Sequence, residues 1–210
     1  MSEYIVERMV AAGADKICFV IAPGKSDILE YFGGKIGGAD VCYVVQPTPA
    51  GLCDAIFRAL PVIGAGDEAL IGLPDTVWFP VDALARAPRE GLTFILFPVD
   101  HPELFDAVRT DERGAVRGID VKSPGAASRW VWGAIRASGG ELATLRDLWH
   151  ERGERDAYFG TLVNAYLARG GSARALAVGE AYVDVGTLHG YRAAIQLLAA
   201  RAEEKSRKGI

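Results

Sequence analysis

Hydrophobic and polar positions fall into two rhythms along this chain. Near-continuous apolar runs occur at KICFVIA (16–22), VCYVV (41–45), ALIGL (69–73) and LTFILFPV (92–99). Strands covered on both faces read this way, as in a parallel sheet. Between the runs lie stretches of helical period. Ile5, Val6, Met9 and Val10 share one face of an opening helix, and Leu52, Ile56, Ala59 and Leu60 share one face of GLCDAIFRAL. Strand, helix, strand, helix predicts right-handed crossovers and an open, mostly parallel α/β sheet flanked by helices. After residue 110 the rhythm changes. AVRGIDV (115–121) and RWVWGAI (129–135) read as strands with no helix between them, and ELATLRDLWHERG and DAYFGTLVNAYLARG as two consecutive helices. ARALAVGEAYVDV (173–185) reads as one long strand region and LHGYRAAIQLLAARAEEK as the closing helix. RAEEKSRKGI is expected to be a solvated helix end with a frayed tail. No repeat, low-complexity tract or linker divides the chain, so residues 1–210 read as a single domain.

Composition narrows the function classes. Of 210 residues, 50% are hydrophobic and 24% charged, enough for one sizeable packed core and unlike a disordered chain. The net charge of −4 offers no basic face for non-specific nucleic-acid binding. No apolar stretch approaches the ~20 residues of a membrane span, and the acid-containing start MSEYIVERM is not a secretory signal. Cys18, Cys42 and Cys53 are odd in number, widely spaced and without a CxxC pair. Buried thiols in a reducing cytoplasm fit this better than a disulfide framework or a zinc site.

Two isolated acids stand out against the apolar runs. Asp75 in IGLPDTVWFP and Asp184 in AYVDVGT each stand at a strand end, and each is expected to be followed by a helix. In open α/β sheets, ligands collect outside the carboxyl ends of the strands. Two carboxylates converging there suit Mg²⁺, which is held by a few carboxylates and by substrate phosphates. The competing reading is that each aspartate only caps a turn or the next helix. From the residues alone, both readings stand.

Longer motifs separate them. VVQPTPAGLCDA, with Gln46, Pro47, Pro49 and then Gly51 opening a helix, resembles the base-recognition segment of sugar-1-phosphate nucleotidyltransferases. The thymidylyl- and uridylyltransferase branch of that family carries QPxPxGL. PGKSDILEYFGG resembles the segment after the family's second strand, and GLPDT stands where the family has GDN or GDT. GIDVKSP resembles the strand ending in EKP, and YVDVGTLHGYRAA matches a W/Y-x-D-x-G-T turn before a helix. Together these cover nearly the whole chain in the family's order. The resemblance implies a Rossmann-like fold of the nucleotide-diphospho-sugar transferase type. It implies attack by a sugar 1-phosphate, of the glucose-1-phosphate kind, on the α-phosphorus of a pyrimidine nucleoside triphosphate. Such chemistry needs positioning and charge neutralisation rather than a covalent nucleophile.

By the same resemblance, Asp75 and Asp184 would hold Mg²⁺, with Asp75 also serving the nucleotide and the reaction. Lys122 would place a positive charge on the sugar phosphate, Gln46 would hydrogen-bond the pyrimidine, and Gly51 would let backbone approach the base. Each has a plainer reading: a solvated lysine before a turn, a strand end, an N-cap. A nucleoside triphosphate and a sugar 1-phosphate are the implied partners, with homo-oligomers left open. A catalytically silent nucleotide- or sugar-binding module is the competing function.

The departures are specific. The family's opening strand and GxGTRL phosphate loop have no counterpart before MSEYIVERM, so the domain reads as incomplete at its N-terminus. KICFVIA and ALIGL are expected to flank an open slot with two unpaired edges. Val121 stands where EKP has its acid, and Asp106 where the family often has a glycine facing the sugar. Three decoys fall away. Gly24-Lys25-Ser26 ends a GxxxxGK[ST] pattern, but its first glycine position is Phe19. His101, His150 and His189 have no metal or triad spacing. Trp130 and Trp132, two residues apart on a strand, are expected to serve core packing rather than form a stacking platform.

Overall fold

The computed structural model describes residues 2–208, with side-chain surroundings through residue 203. Strands β1 (Lys16–Ile21), β2 (Lys35–Ile36) and β3 (Ala39–Val45) form one sheet in the order β1-β3-β2. A second sheet runs β10-β6-β9-β7-β8, with β4 also on β9. Its members are β4 (Glu68–Gly72), β6 (Leu92–Pro98), β7 (Asp106–Thr110), β8 (Val116–Val121), β9 (Trp130–Ser138) and β10 (Arg174–Ala177). β5 (Thr76–Phe79) and β11 (Ala181–Asp184) make an antiparallel pair of their own. The helices are α1 (Glu3–Ala11), α2 (Ser26–Phe32), α3 (Leu52–Arg58), α4 (Gly139–Glu151), α5 (Phe159–Ala168) and α6 (Leu188–Lys208). Part of the expected solvated tail, RAEEKSRKGI, lies outside the described residues. Among the described residues no helix is long and apolar enough to cross a membrane.

The central strand pair shows why a continuous apolar run forms here. Along β6, Phe94 and Leu96 enter a core shared with Leu142, Leu145 and Leu162 of α4 and α5. The alternate residues Ile95 and Phe97 enter a second core with Ile5 and Val6 of α1, Trp78 of β5 and Leu84. Period-two geometry therefore delivers apolar side chains to both faces, and burying each large side chain contributes about 1.5–3 kcal/mol.

The fold is α/β as expected, but the apolar runs report covered faces rather than strand direction. β1–β3 and β6–β10 pair in parallel. Strand β9, long enough for β6 along one side and for β4 and β7 on the other, pairs antiparallel with all three. β1 and β4 do not pair with each other among the described residues, and each has a strand partner on one side only.

Two local expectations are corrected. The region 173–185 is not one strand but β10 and β11, because the chain changes sheet at Gly179. There the Gly179 amide donates to the Leu96 carbonyl at 2.9 Å, and Glu180 N–H donates to Phe79 at 2.8 Å. A β-carbon at 179 would strike Phe97 and the Leu96 carbonyl. Asp75 is followed by strand β5 and not by a helix, because β11, more than a hundred residues later, supplies an antiparallel partner that pairs Thr76 with Asp184. This β5–β11 pair is anchored from the other side by buried Arg8 of α1, whose Nη2 donates to the Trp78 carbonyl at 2.9 Å. Cys18, Cys42 and Cys53 are all free thiols.

Candidate active site

The site is assembled where β4 leaves its sheet and β11 ends. Thr76 Oγ1 donates to the Leu73 carbonyl at 3.0 Å and fixes the Leu73–Thr76 turn. The Val185 amide donates to the Asp75 carbonyl at 2.8 Å, so the two acid-bearing segments are tied through their backbones. Asp184 Oδ1 accepts the Gly186 amide at 2.7 Å, and Thr187 Oγ1 accepts the Gly190 amide at 3.0 Å. Thr187 thereby caps the start of α6. The first turn of α6 packs tightly on this segment: a β-carbon at Gly190 would strike the Asp184 carbonyl. A β-carbon at Gly186 would stand 3.0 Å from Asp184 Oδ1 and 3.6 Å from Asp75 Oδ2. Both carboxylates therefore border one small space. The protein packed against one side of Asp75, and then the charge of Asp184, push its carboxyl upward against a backbone hydrogen bond. Among the described residues no third His, Cys, Asp or Glu joins them into a three-membered cluster.

Tyr182 shares the face of Asp184 two residues earlier and packs on Phe97 and Phe105, each ring 5.7 Å away. Burial and the charges of Asp184, Asp75 and Asp106 all push its hydroxyl upward. This one hydroxyl thus lies within reach of the charges of the acid pair and of Asp106.

Lys122 follows β8 with φ of +42°, a backbone conformation that non-glycine residues seldom hold. Its amide donates to the Phe105 carbonyl at 2.9 Å, and its Nζ lies 4.8 Å from the centre of the Tyr158 ring. The side chain is exposed, and its charge acts on Asp106.

Gln46 and Gly51 lie at the end of β3 and the start of α3. The Gln46 side-chain amide donates to Asp54 Oδ2 at 2.7 Å and to the Gly51 carbonyl at 3.2 Å, while Arg58 Nε also donates to Asp54 at 2.7 Å. Those hydrogen bonds hold the Asp54 carboxyl below its usual range against the opposing effect of burial. Gly51 has φ of +93° and occupies the N-cap position of α3.

What the sequence reading missed is the connector between α4 and α5. Buried Asp156 accepts two hydrogen bonds from Arg152, at 2.8 and 2.9 Å, and fixes the connector in place. The Ala157 carbonyl lies 3.4 Å from where a Gly51 β-carbon would be, and Tyr158 covers Lys122. Gly160, at the start of α5, donates its amide to Asp106. The connector thus touches Gly51 and Lys122 in turn, and the first turn of α5 that follows it borders Asp106. No motif marks it, because its role depends on strands far away in sequence. The decoys stay apart from the site: His101 and His150 pair with Glu103 and Glu154 on the surface. Trp132 is mostly core, packed on Phe94 and Phe159, with its indole N–H 3.5 Å from Asp106.

Comparison with known proteins agrees with this architecture. The chain is 28% identical over 216 residues to the bifunctional protein GlmU of Sorangium cellulosum (strain So ce56), covering 95% of this chain and 45% of that protein. It is 26% identical over 195 residues to the glucose-1-phosphate thymidylyltransferase of Neisseria gonorrhoeae, covering 89% of this chain and 67% of that one. The chain thus spans about half to two thirds of the length of these relatives. Among solved structures, it resembles a UTP-bound UGPase from Acinetobacter baumannii with a TM-score of 0.75 at 22% identity, covering 94% and 81% of the two chains. A UDP-glucose pyrophosphorylase complexed with UDP-glucose gives 0.76 at 17% identity, covering 95% and 86%. At such identities these two likenesses show the fold. The nucleotidyl transferase family profile, however, matches residues 1–201, nearly the full length, and the chain belongs to that family.

Proposed function

We propose that this chain carries out nucleotidyl transfer from a pyrimidine nucleoside triphosphate to a sugar 1-phosphate of the glucose type, giving a nucleoside-diphosphate sugar and pyrophosphate. The observation that carries the reading is the convergence of Asp75 and Asp184 on one space beside Gly186. Their donor set is oxygen only, which suits Mg²⁺, an ion that keeps several waters and takes further ligands from phosphates. When bound, that ion neutralises charge on the reacting phosphate oxygens. Lys122, held in its unusual backbone conformation, binds and orients the phosphate of the sugar 1-phosphate. One oxygen of that phosphate forms a bond to the α-phosphorus. The bond from the α-phosphorus to the oxygen bridging the β-phosphate breaks, and pyrophosphate leaves with the electron pair. Gln46 orients the base. Its N–H groups are engaged by Asp54 and Gly51, which leaves its carbonyl oxygen to accept the ring N–H of uracil or thymine.

The free edges of β1 and β4 support one further part of the proposal. Full activity uses a strand-and-loop segment of the GxGTRL kind, pairing between those edges and wrapping the triphosphate. A reducing cytoplasm suits the free thiols.

The test uses the full-length protein with Mg²⁺, glucose 1-phosphate and each nucleoside triphosphate in turn. Pyrophosphate release is expected with UTP or dTTP, at least ~10-fold faster than with ATP or GTP, and lost when Mg²⁺ is chelated. Gln46→Ala should narrow the gap between pyrimidines and purines. Nucleotide binding without pyrophosphate release would replace this reading with that of a silent binding module.

A further inference from the structure

We propose that Asp106 selects the sugar, its carboxylate accepting a hydrogen bond from a hydroxyl or ammonium group on the ring of the sugar 1-phosphate. This inference rests on the nucleotidyl-transfer reading above and deepens it.

The carboxylate is half used. Asp106 accepts the Gly160 amide and lies 3.5 Å from the Trp132 indole N–H through Oδ2, whereas buried Oδ1 has no hydrogen-bond partner. A buried acceptor left without a donor destabilises the fold, more so when charged. Capping the first turn of α5 does not account for that cost, since it engages only one oxygen. The fixed oxygen instead holds the free one in a set position, which is what a preorganised acceptor needs.

Position supplies the ligand class. Asp106 on β7 is the register partner of Val121 on β8, the residue immediately before Lys122. Lys122 is close enough for its charge to act on Asp106. If Lys122 holds the phosphate, the ring attached to that phosphate lies beside Asp106. The strand pair offers no substitute carboxylate there: Val121 is apolar, and Asp120 is engaged by Arg109 at 2.9 Å and by the Ala127 amide at 3.0 Å. Trp132 and Tyr182 border the same place with aromatic surface that suits the C–H faces of a sugar ring. Burial pushes the Asp106 carboxyl upward, and a ligand donor on Oδ1 would relieve that.

The experiment measures kcat and KM on the full-length enzyme, wild type, Asp106→Asn and Asp106→Ala, at saturating UTP or dTTP. The panel is glucose 1-phosphate, its singly deoxygenated analogues and glucosamine 1-phosphate. Calorimetric binding of each sugar 1-phosphate and a melting curve for each variant accompany the kinetics. In the wild type, one deoxy analogue should lose about 10- to 150-fold in kcat/KM, and in Asp106→Ala that analogue and glucose 1-phosphate should become equivalent. If the donor is an ammonium group, glucosamine 1-phosphate is instead preferred by the wild type, and Asp106→Asn removes the preference. Equal losses across the panel, or a lowered melting temperature with the substrate ranking unchanged, would reduce Asp106 to a helix cap and overturn the proposal. Wild-type enzyme that releases no pyrophosphate with any member of the panel would instead overturn the underlying reading, and this inference with it.

Discussion

At the start of β4, Glu68 meets two arginines. Buried Arg136 binds it through Nε at 3.0 Å and also through Nη2, and Arg89 approaches Oε1 at 3.2 Å. Beyond the other end of the same strand, Asp75 faces a second carboxylate, Asp184, across the space beside Gly186. The hydrogen bond from Arg136 leads the effects that pull the Glu68 carboxyl down, and burial followed by Asp184 pushes Asp75 up. One strand thus starts at an acid whose charge is matched by the protein and leads to an acid whose charge is left for something else to match. Like charges held together work against folding, so an arrangement of that kind points to a ligand. The matched acid is structural, and the unmatched pair is where we propose the site.

The largest expected effect comes from the unmatched end. Asp184→Asn or Asp75→Asn should lower turnover by about 10²- to 10³-fold, by analogy with the loss of one group that stabilises developing charge. Neither should lower the melting temperature, since each removes a like-charge contact. A clear loss of stability in either variant would erase the contrast between the two ends.

Next in size is the matched end. Glu68→Gln leaves the Arg136 guanidinium, 5% exposed, without its charged partner. A cost of about 2 kcal/mol is expected in urea unfolding, below that of a wholly buried pair because Glu68 keeps 29% of its side chain exposed. Turnover per folded molecule should hold. The pH sign follows from the direction of the shift. A carboxyl held low in the folded state stabilises above its unfolded value of 4.5 and loses that contribution as pH falls. Wild type should therefore weaken below about pH 4.5 more steeply than Glu68→Gln, and parallel acid profiles would argue against the pairing.

The smallest effect sharpens the comparison. Lys122→Asn keeps a residue type that tolerates positive φ and removes the charge. Stability should rise by no more than about 1 kcal/mol, while KM for the sugar 1-phosphate rises ~10-fold or more. A variant with unchanged KM would make Lys122 a turn residue.

How much of this was legible in the sequence depended on range. The runs that became β6 and β9 announced themselves because both faces of each are covered, and α1, α4 and α5 followed from local periodicity. Asp75 and Asp184 were visible because a lone acid contrasts with an apolar run. β5 was not, because four residues reading TVWF extend only when β11 returns from across the molecule. The break at Gly179 likewise depends on Phe97 and Leu96, and although Asp106 stood out as a departure from the family's motif, its second oxygen, buried without a partner, did not show. Contacts between distant segments created each of these features, so no window of neighbouring residues contained them.

The connector between α4 and α5 has a thermodynamic consequence. It touches Gly51 through Ala157 and Lys122 through Tyr158, with Arg152 and Asp156 bracing it. A displacement imposed at one contact is transmitted to the others through a short, braced stretch of backbone. If nucleotide and sugar phosphate bind as proposed, a nucleotide that shifts the connector changes affinity for the sugar phosphate, and reciprocity requires the sugar phosphate to change affinity for the nucleotide by the same factor.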